Sequence, residues 1–237
     1  MKYINLVSGP RNISTALMYS FAQRPDTRVF DEPFYACYLR HTGLDHPGRE
    51  EVLQQQSSDP EVVVGSIFST SNKPVSFIKN MAHHMAFVPA GFAERTINVF
   101  LIRNPAQILA SYAQVIETPT LADIGVEYQF TLLHRLRAQG KQPIVLDSSA
   151  ILADPESVLI KVCAYLDIPF MKDMLKWPSG PKSFDGIWAK YWYKNVHTSS
   201  GFQPQATSNR PLPARLSKLN EEAQYYYQAL VPFAVQP

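Results

Sequence analysis

Three groups of residues in this 237-residue chain have the types and spacing for anion chemistry. The first is Pro10-Arg11-Asn12-Ile13-Ser14-Thr15, which follows a short apolar run and precedes helically spaced Ala16, Leu17, Ser20 and Phe21. Backbone N–H groups at a helix N-terminus lack intrahelical partners and lie at the positive end of the helix dipole, so Asn12 to Thr15 could cradle a phosphate or sulfate. Arg11 adds a forked guanidinium suited to the same anion. An ordinary strand-to-helix turn capped by Ser14 would read the same way. The second group is Glu32, a carboxylate that closes a short strand and could act as a general base. The third is Arg103-Asn104-Pro105, with Ser111 further along. Asn104 suits a helix N-cap, Pro105 the first helical position, and Ser111 falls about two turns, roughly 10 Å, along that helix. A phosphate against it could meet both the Arg103 guanidinium and the Ser111 hydroxyl.

What is missing from the first loop narrows the chemistry. A nucleotide triphosphatase P-loop reads GxxxxGK[ST], with the lysine on the terminal phosphates and the hydroxyl on magnesium. Ile13-Ser14-Thr15 supply neither that lysine nor the second glycine. A kinase-like phosphotransferase would also need a magnesium carboxylate, for which Asp31 could be argued. A non-catalytic nucleotide-binding protein is the third reading of the same loop.

The elements that must position these groups follow from periodicity. Strands are expected at Tyr3–Val7, Arg28–Phe30, Val75–Ile78, Ile97–Ile102 and Pro143–Leu146, alternating with helical patterns, which is the signature of a parallel sheet with crossover helices. Ligands of such sheets bind beyond the strand C-termini, where most of the special residues stand. From His41 to Asn72 the chain has polar turns and short helical pieces (Arg49–Gln56, Pro60–Phe68). It reads as an excursion over the site that could hold an acceptor. His41 and His46 have no partner spacing for a metal and read as surface residues. Pro204 to Pro213 reads as loop, and a final helix, Leu216 to Leu230, carries Tyr225-Tyr226-Tyr227 as packing residues.

Lysine and arginine number 22 against 20 acidic residues, a formal charge of +2, so no broad field suggests duplex nucleic acid or an acidic membrane as partner. Cys37 and Cys163 fall in helical patterns and give neither a disulfide framework nor metal spacing. No stretch is apolar for the length a membrane span needs. The expectation is one soluble, cytoplasmic domain over residues 1–237, with 41–72 and 180–213 covering the acceptor and cofactor.

Taken together, PRNIST and IRNPAQILAS resemble the two phosphate-binding segments of the sulfotransferase family, which uses 3′-phosphoadenosine 5′-phosphosulfate as donor and releases 3′-phosphoadenosine 5′-phosphate. ILADPESVLIKVCAYLDIPF is similar to the family's Asp-Pro-Glu helix and the turn after it. The resemblance implies a three-layer α/β sandwich with a central parallel sheet, a P-loop-like fold, and no metal. It assigns Arg11, Asn12, Ile13, Ser14 and Thr15 to the 5′-phosphosulfate and Arg103 and Ser111 to the 3′-phosphate. Ile13 stands where the family usually has glycine. Spacing from Pro10 to Glu32 matches the tyrosylprotein branch, where a glutamate is the base, and FIKNM puts Lys79 at the catalytic lysine just after the third strand. Met81 fills the position of the cytosolic enzymes' histidine base, which leaves His83 as the reserve. KSFDGIW resembles, more loosely, the family's loop over the 3′-phosphate and adenine and implicates Lys182, Gly186 and Trp188. An aromatic core around Trp188 and Trp192 reads equally well. The implied acceptor is the hydroxyl of a small molecule.

Overall fold

The computed structural model describes residues 1–203 and 210–237. Five strands, β1 (Lys2–Ser8), β2 (Thr27–Asp31), β3 (Val75–Met81), β4 (Ile97–Ile102) and β5 (Ile144–Asp147), form one sheet. Its order is β2-β3-β1-β4-β5, and each neighbouring pair is parallel. The helices in chain order are α1 (Ser14–Ala22), α2 (Tyr35–Thr42), α3 (Arg49–Gln55), α4 (Pro60–Ile67), α5 (Gly91–Glu94), α6 (Pro105–Tyr112) and α7 (Leu121–Ile124). They continue as α8 (Val126–Ala138), α9 (Ser148–Ala153), α10 (Pro155–Tyr165), α11 (Ala189–Trp192), α12 (Lys194–His197) and α13 (Ser217–Leu230).

All five expected strands are present, and the apolar layers follow from their alternation. Ile4 and Leu6 of β1 pack with Leu17 and Phe21 of α1 and Val158 and Val162 of α10, whereas Val7 packs on the opposite face with Leu132 and Leu136 of α8 and Leu230 of α13. The result is helix, sheet, helix, the three-layer arrangement. A smaller cluster joins Tyr35 and Tyr38 of α2 and Val52 of α3 to Trp188 and Tyr193 at the C-terminal edge of the sheet.

Two details of register matter for the site. β3 runs past the expected Ile78 to Met81, so Lys79 lies inside the strand, not after it, directly opposite Asp31 of β2 and Leu6 of β1. The pairing is prolonged by the Glu32 N–H, which donates to the Lys79 carbonyl at 2.8 Å. Across the middle of the sheet, Asn80 donates to Asn5 at 2.8 Å and Asn5 to Asn98 at 2.9 Å, a buried polar ladder linking β3, β1 and β4.

From β1 the chain crosses to β2 through α1 on one side of the sheet, and from β4 it crosses to β5 through α6 and α8 on the other. The loops after β1 and β4 therefore diverge and open a crevice at the strand C-termini. Of the expected loop 204–213, residues 204–209 lie outside the described residues, and 210–213 have no regular structure. Both cysteines are buried in helices, Cys37 in α2 and Cys163 in α10. Among the described residues no helix is long and apolar enough to cross a membrane.

Candidate active site

Lys79 is the centre of a buried ionic cluster, with no exposed surface of its own. Neighbouring residues of a strand point to opposite faces, so adjacent carboxylates do not ordinarily reach one cation. Here β2 ends at Asp31, and Glu32 takes a left-handed backbone with φ +42°. That turn breaks the alternation, and Asp31 Oδ1 and Glu32 Oε1 both meet Lys79 Nζ, at 2.9 and 2.5 Å. Tyr193, between α11 and α12, places its hydroxyl 2.6 Å from the same nitrogen and donates to Asp31 at 2.7 Å. The Gly186 N–H donates to Asp31 Oδ2 at 3.0 Å, and Trp188 Nε1 donates to Tyr193 Oη at 3.2 Å.

Burial opposes charge on Lys79, but Asp31 and Glu32 outweigh it and hold the ammonium above its ordinary value. For Glu32 the balance is the other way. Burial pushes the carboxyl up, Lys79 pulls against it, and the like charge of Asp31 adds to the rise. Tyr193 is pushed far up by burial and by the two carboxylates, which keeps it a neutral phenol.

After β3 a 3₁₀ turn, Ala82–Phe87, presents His83 and His84. Burial pushes His83 down to about 4 and His84 well below its ordinary value, so both are neutral near pH 7. His84 Nδ1 is 3.8 Å from Glu32 Oε2, and its ring stacks on Tyr35 with centroids 4.8 Å apart. The contact with Glu32 thus belongs to His84 and not to His83. His46 is not the plain surface residue expected from its polar surroundings. Its Nδ1 is 2.9 Å from the Tyr35 hydroxyl, and its ring packs against Tyr35 and Tyr38. His41 is exposed, as expected.

The anion cradle forms where β1 passes into α1. Gly9 is required there because a Cβ would stand 2.4 Å from the Ile124 carbonyl oxygen. Arg11 adopts a left-handed φ of +54° and Asn12 ties the loop to β4 by donating to the Leu101 carbonyl at 3.1 Å. The helix begins at Ser14 with Ile13 at the N-cap and no side-chain cap, so Ser14 is not the capping residue. Ile13 turns its side chain into the core, which leaves its backbone, not its bulk, at the loop surface. At the other segment Asn104 caps α6 as expected, accepting from the Ala106 N–H at 3.0 Å, with Pro105 at the first position. Ser111 accepts from Arg11 Nε at 2.9 Å, and Arg103 donates to the Arg11 carbonyl at 2.7 Å and to Gln107 at 3.1 Å. Ser111 therefore partners Arg11, and the two arginines form one cluster. Burial, and then a neighbouring arginine, lowers each of them: Arg210 acts on Arg11, and Arg11 on Arg103.

The ionic cluster and the anion cradle meet in one cavity of about 1230 Å³. Its wall contains Arg11 to Thr15, Arg103 and Ser111 together with Glu32, Lys79, His83 and His84. That volume exceeds the roughly 300–1,000 Å³ typical of a single-ligand pocket, leaving room for a second molecule. Lys182, Gly186 and Trp188 are not in the wall. Lys182 lies over the Tyr19 ring, Gly186 bonds Asp31 from behind, and Trp188 is buried against Tyr35. Among the described residues no three His, Cys, Asp or Glu side chains converge as a metal-ligand set.

The family model of the sulfotransferase domain matches residues 1–234. The chain belongs to that family. Two curated relatives of this sulfotransferase domain are proteins of Arabidopsis thaliana. Branched-chain-amino-acid aminotransferase-like protein 1 is 39% identical over 225 residues, covering 94% of this chain and 40% of its own length. Its counterpart, protein 2, is 35% identical over 232 residues, covering 97% and 41%. The chain thus spans about two-fifths of the relatives it matches, and their aminotransferase-like names describe those longer proteins. Among solved structures the domain is similar to the sulfotransferase domain from the Synechococcus PCC 7002 olefin synthase, with TM-score 0.63, 15% identity and coverage of 96% and 94%. It is also similar to the sulfotransferase domain from the curacin biosynthetic pathway, with TM-score 0.56, 14% identity and coverage of 100% and 99%. At such identities the likeness is one of fold.

Sequence reasoning did not identify His84 or His46 as members of the site, and it considered Asp31 only for a metal. The pattern FDEPF does carry one signal, two adjacent carboxylates at a strand end.

Proposed function

We propose that this sulfotransferase moves a sulfuryl group from 3′-phosphoadenosine 5′-phosphosulfate to a hydroxyl of a small-molecule acceptor, with Glu32 as general base. The observation that carries the reading is the convergence of Glu32 and Lys79, from two strands, in the cavity that also holds the α1 cradle and the two arginines.

The residues present fit such a donor. First-turn amides of α1 lack intrahelical partners, and two guanidinium groups lowered by burial and by a neighbouring arginine, Arg11 by Arg210 and Arg103 by Arg11, would gain from a phosphate beside them. Arg11 and the Asn12–Thr15 segment would hold the phosphosulfate end, and Arg103 and Ser111 the 3′-phosphate. The donor supplies an activated sulfuryl group on a phosphate that can leave. Glu32, its carboxyl raised by burial, removes the acceptor's proton. Lys79 and Arg11 stabilise the charge gained by the departing oxygen, and losing one such donor costs about 10²–10³ in turnover.

Residues 1–237 work as one domain in this reading, with Asp45 and His46 from one covering segment and Trp192 and Tyr193 from the other closing the cavity. Lys182, Gly186 and Trp188 support the wall from behind. The kinase-like alternative is weakened by Asp31, whose oxygens already accept from Lys79, Tyr193 and Gly186.

Calorimetric binding of 3′-phosphoadenosine 5′-phosphate against ATP-Mg, on wild type and Arg103→Ala, tests the donor. Tight bisphosphate binding, lost in the variant and absent for ATP-Mg, is the expected result. Preference for ATP-Mg, or indifference to Arg103→Ala, overturns it.

A further inference from the structure

An ammonium has three N–H donors, and Lys79 has three oxygens at bonding distance: Asp31 Oδ1 at 2.9 Å, Glu32 Oε1 at 2.5 Å and Tyr193 Oη at 2.6 Å. A lysine so committed offers nothing to a substrate oxygen until one partner lets go. The three partners differ in whether they change during the reaction. Asp31 is fixed in place by the Tyr193 hydroxyl and the Gly186 N–H, which both donate to it. Tyr193 is fixed in turn by Trp188 Nε1 and sits in an apolar cluster with Tyr35 and Tyr38. Glu32 alone is assigned to take up a proton.

We propose that Asp31 and Tyr193 are positioning residues that keep Lys79 charged and aimed while Glu32 accepts the acceptor's proton, so that the N–H Glu32 gives up passes to the departing oxygen. The step balances within the reaction proposed above, on which it rests. The acceptor O–H proton moves to Glu32, the acceptor oxygen forms its bond to sulfur, and the sulfur–phosphate oxygen bond breaks with its electron pair left on phosphate. Glu32, now neutral, binds the ammonium less strongly. Asp31 remains as counter-ion, so Lys79 does not lose its own proton when its second carboxylate is neutralised. Tyr193 holds two members of the cluster from a segment 114 residues away from Lys79, so the cluster is complete only when that segment is docked.

The groups facing Glu32 and Lys79 are Asp31 from β2, Tyr35 from α2, His84 from the turn after β3 and Tyr193 from the α11–α12 junction. Of these Asp31 is the one whose charge acts on both Glu32 and Lys79. Its effect on the two titrations has a definite sign. Removing the Asp31 charge relieves the repulsion on Glu32 and lowers its pKa, so the acidic limb of kcat/KM moves to lower pH. The same change deprives Lys79 of a counter-ion, and its pKa falls.

The test uses the full chain and two variants, Asp31→Asn and Tyr193→Phe, with folding checked by thermal melts. The first readout needs no activity: NMR of ¹⁵N-lysine protein, with the Lys79 ammonium signal identified by its loss in Lys79→Arg. In wild type the signal is protected from exchange. In Tyr193→Phe it broadens, and in Asp31→Asn it titrates at lower pH. The second readout is kinetic. Both variants lose kcat about tenfold or more with donor KM nearly kept, and Asp31→Asn shifts the acidic limb downward, which a merely structural role would not do. An unchanged Lys79 signal in both variants, or an unmoved limb in a protein that transfers sulfuryl groups, overturns the inference. Altered Lys79 signals in a protein that transfers no sulfuryl group uphold the positioning and refute the function. If Asp31→Asn does not fold, the Tyr193→Phe signal and its kcat decide.

Discussion

At Glu32 two unusual properties meet in one residue: a left-handed backbone that costs a non-glycine residue about 1–2 kcal/mol, and a carboxyl whose pKa burial raises. Both are useful to a base, the first for aim and the second for a higher proton affinity. Glu32→Gln should lower kcat by about 10²–10⁴ with donor affinity unchanged, read by steady-state kinetics and calorimetry. Because Glu32 must be ionised to act, kcat/KM in wild type should fall as pH drops through a value above the ordinary carboxylate range. The linked effect on stability has the opposite sense. A carboxyl raised in the folded state stabilises fully below its unfolded pKa, roughly 4.3, and loses that contribution as pH rises through the folded value. The melting temperature of Glu32→Gln, which cannot ionise, should therefore gain on wild type from acid to neutral pH, and a gain that shrinks instead would contradict the raised value.

The helices that carry the anion site do so through their first turns. α6 begins at Pro105 under the Asn104 side chain, which also accepts from Gln224 of α13 at 2.9 Å, so one residue both caps the helix and ties it to the outer layer. Gln107 and Ser111 on that helix hold Arg103 and Arg11. Replacing Asn104 by alanine should cost about 1 kcal/mol as a lost cap, which for a protein of this size moves the melting temperature down by about 2–4 °C. Because the arginines lean on α6, affinity for 3′-phosphoadenosine 5′-phosphate should fall in the same variant. A destabilised Asn104→Ala protein that binds as well as wild type would show the cap and the anion site to be independent.

Over the whole molecule, the two helix layers leave both thiols inaccessible. Cys37 is 4% and Cys163 1% exposed, and burial pushes each thiol up to about 11. A thiol titration should find neither in the native protein and both after denaturation, and rapid native labelling of either would show its layer to be open. The chain by itself determined the five strands, the loop-to-helix turn, the Asn104-Pro105 helix start and the candidate Glu32, because alternation, helical spacing and capping are short-range and are written within a few residues, whereas Lys79 was singled out only by the family resemblance. Tertiary structure decided which of those groups meet. Asp31 joins Glu32 on Lys79 only through β2–β3 register and a positive φ, His84 and His46 enter the cavity only through the packing of α2, and Ser111 meets Arg11 across the β1–β4 crevice. Tyr193 reaches Lys79 across more than a hundred residues of chain, whereas Trp188 stays behind the wall. Such contacts depend on how layers stack and strands register, and no local spacing records that.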